Sequence, residues 1–176
     1  MRRTIWLLAG LLSAAAFADN AVAPVSNMKV DLQEVVTVGH VRPVDGVSSS
    51  GLPSKEALQV FRNNGYVAVI DLRGPGELEG DNEESEVLAL GMDYVSLPVA
   101  GESAVSFENA EKLDKLLDSF NGPVLVHCAS GNRVGALMAL RQSKKGADDD
   151  LALAVGKAAG LTGLEPVVRD RLAAKP

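Results

Sequence analysis

The sequence predicts an α/β domain with a central, mainly parallel sheet flanked by helices. Two apolar runs, 66–72 and 123–126, are almost uninterrupted, which is typical of strands buried on both faces. The segments between and after these runs carry apolar residues at helical spacing. Strands that alternate with helices favour a parallel sheet over a series of hairpins. In such a sheet, ligands bind at the carboxyl ends of the strands.

The first half of the domain is predicted to contain two strands and one helix. The β-branched run from Glu34 to Val38 predicts a short strand, and the serine-rich segment 46–51 predicts a loop. Pro53 and Ser54 begin a helix that ends at the Asn-Asn-Gly turn over 63–65. The buried stripe of this helix is expected to contain Ala57, Leu58, Val60 and Phe61. The apolar run 66–72 is the second strand.

The second half continues the alternation of strands and helices. Asp81 and Glu84 have the spacing of a capping box for a helix through Leu90, and the acidic segment from Glu77 to Glu86 is interpreted as an exposed face. The remaining predicted elements are a strand over 92–99, a loop over 100–105, a helix capped by Ser106, a strand ending at Cys128, and helices over 134–140, 151–159 and 165–172.

The amino terminus has the pattern of a secretory signal peptide over residues 1–18. Arg2 and Arg3 form a basic start, an apolar stretch follows, and Ala16-Phe17-Ala18 supplies small residues at a cleavage site. The apolar stretch is shorter than the roughly 20 residues of a membrane span. We therefore expect a flexible lead-in over 19–33, a folded domain over 34–176, and a periplasmic or secreted location without membrane insertion.

The charge of the chain excludes some classes of partner. The sequence has 17 basic and 23 acidic residues, and removal of Arg2 and Arg3 with the leader makes the mature chain still more acidic. This balance argues against nucleic acid or anionic lipid as a partner. A small anionic or phosphorylated substrate would have to be attracted by a local site. No cofactor is expected, and two histidines and one cysteine without ligand spacing indicate no metal site.

Cys128, the single cysteine, lies where a strand gives way to a loop and then to a helix. The loop contains Gly131, and Arg133 begins the helical segment. Loop amides, a helix amino terminus and a guanidinium together bind oxyanions and favour a thiolate. The alternative is a buried structural cysteine, since free cysteine is common in cores. A lone thiol in an exported chain, however, favours a chemical role.

Three segments, 65–73, 91–99 and 127–133, resemble in order the dual-specificity and tyrosine-phosphatase-like cysteine phosphatases. The resemblance is closest to the phosphatase-like domain of the beta-lactamase-hydrolase-like protein family, and it covers most of residues 34–172. It implies a three-layer fold, Cys128 as the nucleophile and Arg133 as the oxyanion clamp. It also implies that residues 34–176 are a phosphatase-like domain and that His127 orients the loop. The substrate-binding residues it implies are His127, Ala129, Ser130, Gly131 and Asn132, and the backbone N–H groups from Ala129 to Arg133 form the cradle.

Three departures from that family leave alternatives open. Only four residues separate Cys128 from Arg133, which is the spacing of rhodanese-type sulfurtransferases, where tyrosine phosphatases have five. Val134 follows the arginine in place of a hydroxyl residue, and Glu102 is the nearest candidate for the proton donor because 100–105 lacks aspartate. The candidate functions are a phosphate monoesterase with a phosphocysteine intermediate, a sulfurtransferase with a Cys128 persulfide, and a non-catalytic oxyanion-binding module.

Two other polar residues are interpreted as structural. Asp71 and Arg73 end the strand over 66–72, and we expect them to form a pair that holds the following loop. The sequence gives no indication of the oligomeric state.

Overall fold

The computed structural model of the chain describes residues 25–78, 80 and 82–175. The predicted signal peptide, the start of the lead-in and Asp81 lie outside the described residues, so export stays a prediction. The elements, in chain order, are α1 Leu32–Val38, β1 Val47–Ser50, α2 Lys55–Asn63, β2 Ala68–Asp71, α3 Glu83–Ala89, β3 Asp93–Ser96, α4 Phe107–Asp118, β4 Val124–His127, α5 Asn132–Lys144, α6 Asp149–Ala158 and α7 Glu165–Ala173. Two 3₁₀ turns cover Pro75–Glu77 and Glu102–Ala104.

The strands form a parallel sheet in the order β1-β4-β2-β3 within the described part of the chain. In the register, His127 of β4 lies opposite Ser50 of β1 and Asp71 of β2, and Asp71 lies opposite Ser96 of β3. The carboxyl ends of all four strands therefore meet at one edge. This confirms the predicted parallel α/β architecture and places Cys128, the residue after β4, at that edge.

Helices cover both faces of the sheet and make three layers. Side chains alternate along each strand, so Val126 and Ile70 point to one face while Leu125 and Val69 point to the other. The first face packs against α4 to α7, and the second packs against α1 to α3, through the buried residues Leu113, Leu137, Leu153, Val168, Val35, Leu58, Phe61 and Val87. Among the described residues, no helix is long and apolar enough to cross a membrane.

The predicted strand over 34–38 is wrong, because this segment belongs to helix α1. The Asp31 carboxylate accepts hydrogen bonds from the backbone N–H groups of Gln33 (2.8 Å) and Glu34 (3.0 Å) and so caps the helix. Gly39, at φ 70°, ends it. Val35 is buried while Val38 is exposed, so the helix buries one side and the cap outweighs the β-branched composition.

The predicted loop over 46–51 is also wrong, since Val47–Ser50 form strand β1 and are all buried. Each buried hydroxyl has a hydrogen-bond partner, which removes most of the cost of placing serine in the core. Ser48 bonds to the Tyr66 hydroxyl (2.5 Å), Ser49 donates to the carbonyl of Ala159 (2.7 Å), and Ser50 donates to that of Gly51 (2.7 Å).

The predicted capped helices are confirmed. The Ser54 hydroxyl accepts from Ala57 N–H at 3.3 Å and begins α2, and Ser106 accepts from Asn109 N–H at 3.2 Å and begins α4. The helix predicted from Asp81 begins at Glu83 instead, with Asn82 as its cap residue. The strands predicted over 66–72 and 92–99 are present but shorter.

Helices α5 and α6 pack closely through two glycines. A Cβ atom built on Gly135 of α5 would lie 2.0 Å from the Leu161 backbone nitrogen and 2.6 Å from the Gly156 carbonyl oxygen. Any side chain at this position would collide with the backbone. This contact fixes the helix whose first turn carries Arg133.

Candidate active site

The loop over 128–133 joins β4 to α5 and holds the predicted nucleophile. Gly131 has φ 88° and is the cap residue of α5, a conformation that suits glycine. Its backbone N–H donates to Cys128 Sγ at 3.1 Å, and Cys128 is 1 % exposed. A donor that faces the sulfur stabilises a thiolate, and the same donor can stabilise an oxyanion bound at the loop.

Two contacts from outside hold this loop. The side-chain oxygen of Asn132 accepts from the backbone N–H groups of Thr162 (2.8 Å) and Leu164 (3.3 Å), which ties the start of α5 to the α6–α7 connection. Leu52 N–H donates to the Ala129 carbonyl at 3.3 Å. The loop is therefore held on both sides, as a preformed anion site requires.

Arg133 makes a bidentate ion pair with Glu77. The Nη1 and Nη2 atoms lie 2.6 Å from the two carboxylate oxygens of Glu77, and Nη1 also donates to the Leu72 and Val99 carbonyls at 3.4 Å. The hydrogen bond to Glu77 is the main cause that raises the pKa of Arg133, and a charge on Cys128 raises it further. The guanidinium is thus fixed in position beside the cysteine loop.

Glu77 is a site residue that sequence reasoning missed, because the segment from Glu77 to Glu86 was interpreted as an exposed face. That interpretation is wrong for Glu83, which is buried. Glu77 is exposed as predicted, but it pairs with Arg133 at the site. The hydrogen bonds from Arg133 are the main cause that lowers the pKa of Glu77 to about 2, and the N–H of Gly74 (2.9 Å) also donates to it. Glu77 is therefore ionised near neutral pH.

The Glu77–Arg133 pair predicts a small acid sensitivity. The pKa of Glu77 is about 2 in the folded chain against an ordinary 4.5, so the pair stabilises the fold above pH 4.5 and is lost as pH falls towards 2. Because Glu77 is 39 % exposed, solvent screening limits the effect to about 1 kcal/mol or less. Urea denaturation of the wild type and Glu77→Gln should show a stability difference at pH 7 that disappears near pH 2.

Glu84→Gln is the matched control, because Glu84 is an exposed glutamate on the same acidic segment. Its pH profile should follow that of the wild type. A Glu77→Gln profile that also follows the wild type at every pH would contradict the assigned role of the pair.

An open cavity of about 370 Å³ lies in front of the loop and Arg133. It is lined by Glu77, Val99, Ala100, Gly101, Glu102, Ser130, Asn132, Arg133 and Leu164. The structure therefore brings Glu102 together with the predicted loop residues Ser130, Asn132 and Arg133. The 3₁₀ turn that carries Glu102 is held by Arg171 of α7, whose Nε donates to the Val105 carbonyl at 3.0 Å.

Val134, which follows Arg133, is fully buried in the core on the first face of the sheet. Ser130 lines the cavity, so among the loop residues from Cys128 to Val134 it is the one that brings a hydroxyl to the site.

A buried charged cluster lies at the same sheet edge, beneath the loop. Arg73 Nη2 lies 2.7 Å from Asp71 and 2.5 Å from Glu83, and Tyr94 donates to Asp71 at 2.9 Å. The His127 ring faces this cluster, with Nε2 at 3.2 Å from Glu83 Oε1 and 3.7 Å from Asp71 Oδ1. Asp71 and Arg73 thus form the predicted pair, while His127 contacts the cluster and does not line the cavity.

The cluster is electrostatically coupled. Burial raises the pKa of Asp71, but the hydrogen bonds from Arg73 and the electrostatic interaction with His127 outweigh it, so the pKa is lowered overall. Burial, and then the hydrogen bond to Asp71, raise the pKa of Tyr94. Both shifts keep an ionised carboxylate beside a neutral phenol. The cluster therefore joins Asp71 at the end of β2 to His127 at the end of β4, and His127 directly precedes Cys128.

Asp71, Glu83 and His127 also bring ligand atoms within 4.8 Å of one another, a geometry that could hold a metal ion. Arg73 donates hydrogen bonds to both carboxylates, so a cation at this position would compete with its guanidinium. Sequence reasoning missed the group because its three members come from separate elements.

The three-layer architecture, with an arginine and a cysteine loop at one sheet edge, defines a phosphatase-type α/β domain. A model of the family described as DSP-PTPase phosphatase fused to NAD+ kinase matches residues 46–161. The chain belongs to this family.

Curated relatives cover part of the chain. The beta-lactamase hydrolase-like protein of Xylella fastidiosa (strain Temecula1) is 32% identical over 97 residues, which is 53% of this chain and 22% of that protein. The protein of the same name from Agrobacterium fabrum is 28% identical over 110 residues, or 60% of this chain and 25% of that protein. The chain thus spans about a quarter of the length of the curated relatives it matches.

Solved structures share the fold. A candidate phosphatase from Neisseria meningitidis aligns with TM-score 0.63 and 21% identity over 73% of this chain and 93% of that one. P. aeruginosa TpbA in complex with phosphotyrosine aligns with TM-score 0.58 and 18% identity over 86% of this chain and 91% of that one. Kinase-associated phosphatase with its catalytic-site cysteine replaced by serine aligns with TM-score 0.56 and 15% identity over 80% of this chain and 94% of that one. These likenesses confirm the predicted three-layer cysteine-phosphatase-like fold.

Proposed function

We propose that the domain hydrolyses phosphate monoesters through Cys128. The observation that supports this most directly is the hydrogen bond from Gly131 N–H to Cys128 Sγ at 3.1 Å, beside a fixed Arg133, in a chain of a phosphatase family. The thiolate attacks phosphorus, the S–P bond forms, and the ester P–O bond breaks. Water then attacks phosphorus in the phosphocysteine, which releases inorganic phosphate and returns the thiolate.

The backbone N–H groups of 129–133 and the guanidinium would bind the phosphate oxygens. Glu77 takes one N–H from each Nη atom of Arg133, and the Leu72 and Val99 carbonyls share the second Nη1 N–H. This leaves the Nε–H and one Nη2 N–H for the substrate. Because these donors are already oriented, stabilising the charge that develops in the transition state needs little reorganisation.

Glu102 is the candidate that protonates the leaving group. Among the residues that the structure describes, two carboxylates line the cavity, Glu77 and Glu102. Glu77 is paired with Arg133 and has its pKa lowered to about 2, so it does not carry a proton near neutral pH. This leaves Glu102, on the 3₁₀ turn at the cavity wall, for general acid catalysis.

Leaving-group dependence tests this assignment. We expect Glu102→Gln to lower kcat/KM for an alkyl phosphate by about 10²–10⁴-fold, because an alkoxide needs a proton to depart. Hydrolysis of p-nitrophenyl phosphate should change little, since p-nitrophenolate leaves unprotonated. The control is Glu108→Gln, an exposed glutamate on α4 that pairs with Lys112. An equal loss on both substrates, or no loss on either, would remove Glu102 as the acid.

The four-residue spacing between Cys128 and Arg133 favours a second candidate, a sulfurtransferase. In that reaction Cys128 takes the outer sulfur of thiosulfate as a persulfide and releases sulfite, and cyanide then removes the sulfur as thiocyanate. A third possibility is that the loop binds an oxyanion without turnover.

One side-by-side assay separates these candidates. The reduced protein is given p-nitrophenyl phosphate in one reaction and thiosulfate with cyanide in the other, with Cys128→Ser as the blank. Cysteine-dependent release of phosphate supports the proposal. Cysteine-dependent thiocyanate would replace it with sulfur transfer, and silence in both reactions would favour a binding module.

A further inference from the structure

Lys29 lies beside the cysteine loop and has no role in the site as described so far. Its backbone is held at the edge of the sheet, because Lys29 bridges to Ser49 of β1 and its N–H donates to the Ala158 carbonyl at 2.8 Å. The flanking Val30 N–H donates to the Ser49 carbonyl at 2.9 Å. Lys29 is therefore fixed between β1 and the end of α6.

The side chain of Lys29 occupies space that two glycines leave open. A Cβ atom built on Gly160 would lie 2.9 Å from Lys29 Cδ and 3.0 Å from the Gly131 carbonyl oxygen. A Cβ atom on Gly131 would lie 3.2 Å from Lys29 Cε and 3.5 Å from Nζ. Both glycines have positive φ, 106° and 88°. The aliphatic stem thus passes Gly160, and the ammonium group ends against Gly131.

Gly131 connects this ammonium group to the thiol. Lys29 lies on the side of Gly131 where a side chain would stand, and the Gly131 backbone N–H donates to Cys128 Sγ at 3.1 Å. A positive charge near that N–H attracts a negative sulfur or a bound oxyanion, as the N–H itself does. The two favourable interactions add.

Few nearby groups offset the charge of Lys29. A cavity of about 480 Å³ borders it, whose other charged or titratable lining groups are Asp31, Glu34, His40, Arg42 and Lys157. In the part of the chain that the structure describes, none of these groups forms an ion pair with Lys29. The Asp31 carboxylate caps α1, and Lys157 pairs with Glu165 at 3.1 Å.

We propose that Lys29 is a positioning residue of the site, whose ammonium group supports Gly131 and favours the thiolate of Cys128 and the bound oxyanion. The inference rests on the proposed role of Cys128 as nucleophile. At an effective dielectric of about 20, a unit charge as far as roughly 12 Å away shifts a protonation equilibrium about tenfold.

The rate of alkylation by iodoacetamide tests the proposal directly, because Cys128 is the only cysteine in the sequence and the thiolate is the reacting form. The full-length chain is compared with Lys29→Met, a neutral variant of similar length, across the pH range. We expect alkylation of Lys29→Met to be about tenfold slower than wild type at low pH and equal to it at high pH, where every thiol is ionised. Lys29→Arg should keep most of the wild-type rate.

Lys157→Met is the control, because it removes a lysine from the same cavity without removing the contact at Gly131. Its alkylation profile should match the wild type. Should Lys29→Met fail to fold in a thermal melt, Lys29→Gln gives the same readout. A Lys29→Met profile that superimposes on the wild type, or a Lys29→Arg profile as slow as Lys29→Met, would overturn the proposal.

This readout does not depend on turnover. The p-nitrophenyl phosphate assay on the same samples reports the proposed function separately. Slower alkylation in a chain that releases no phosphate would therefore keep the role of Lys29 and reject the phosphatase.

Discussion

Cys128→Ser should abolish turnover while leaving the oxyanion site in place. A serine hydroxyl is not ionised near neutral pH, so the nucleophile is lost, and we expect kcat/KM to fall by about 10⁴-fold or more. The Gly131 N–H donates to the sulfur, but the other contacts that hold the loop do not involve it. Asn132 is held by the backbone of Thr162 and Leu164, and Arg133 is held by Glu77.

Two measurements check this expectation together. Kinetics with p-nitrophenyl phosphate report turnover, and calorimetric titration reports the affinity of the loop for inorganic phosphate. The control is Ser119→Ala, at an exposed serine at the end of α4. We expect no turnover and a phosphate Kd within about threefold of the wild type, because the oxygen-binding groups are unchanged. A Cys128→Ser variant that still hydrolyses the ester would remove Cys128 from the mechanism.

The parts of this fold that sequence predicts well are those encoded by neighbouring residues. The cysteine loop is contiguous from Cys128 to Arg133, and the helix caps at Ser54 and Ser106 act within three residues of their partners. The apolar composition of the run over 66–72 indicates by itself that the strand is buried on both faces. Each of these signals can be interpreted without knowing which distant segment lies nearby.

The parts that sequence missed depend on partners far along the chain. Ser49 is buried because its hydroxyl reaches Ala159, and without that partner three consecutive serines indicate a loop. Glu77 pairs with Arg133 across 56 positions, and Glu83 belongs to a buried cluster with Arg73 and His127. Composition alone presents both glutamates as part of an acidic surface.

These distant contacts share one place, the carboxyl edge of the sheet. Parallel strands that end together place His127 between Ser50 and Asp71, although 77 and 56 positions separate the register pairs 50–127 and 71–127 along the chain. The loop motif is therefore local, while everything that orients it is supplied by topology. This is why sequence located the candidate nucleophile and missed Glu77 and Lys29.

Arg133→Lys should lower turnover strongly, though less than loss of the nucleophile. The wild-type guanidinium bonds to both oxygens of Glu77 and retains N–H donors for a phosphate. An ammonium group is a point charge with no planar fork, so it cannot hold Glu77 in bidentate geometry and present two aligned donors to the substrate. We expect kcat/KM for p-nitrophenyl phosphate to fall by about 10²–10³-fold, as for loss of an oxyanion-hole donor.

The control is Arg169→Lys, an exposed arginine on α7 that also pairs with a glutamate, Glu165. It should leave kcat/KM unchanged, which separates loss of the fork at the site from a general effect of replacing arginine by lysine.

Adding Glu77→Gln tests whether Glu77 acts through Arg133. If Glu77 acts by orienting the guanidinium, Glu77→Gln should lower kcat/KM in the wild type but change little in Arg133→Lys, because the oriented fork is already absent. Equal losses from Glu77→Gln in both backgrounds would mean that Glu77 acts independently of Arg133.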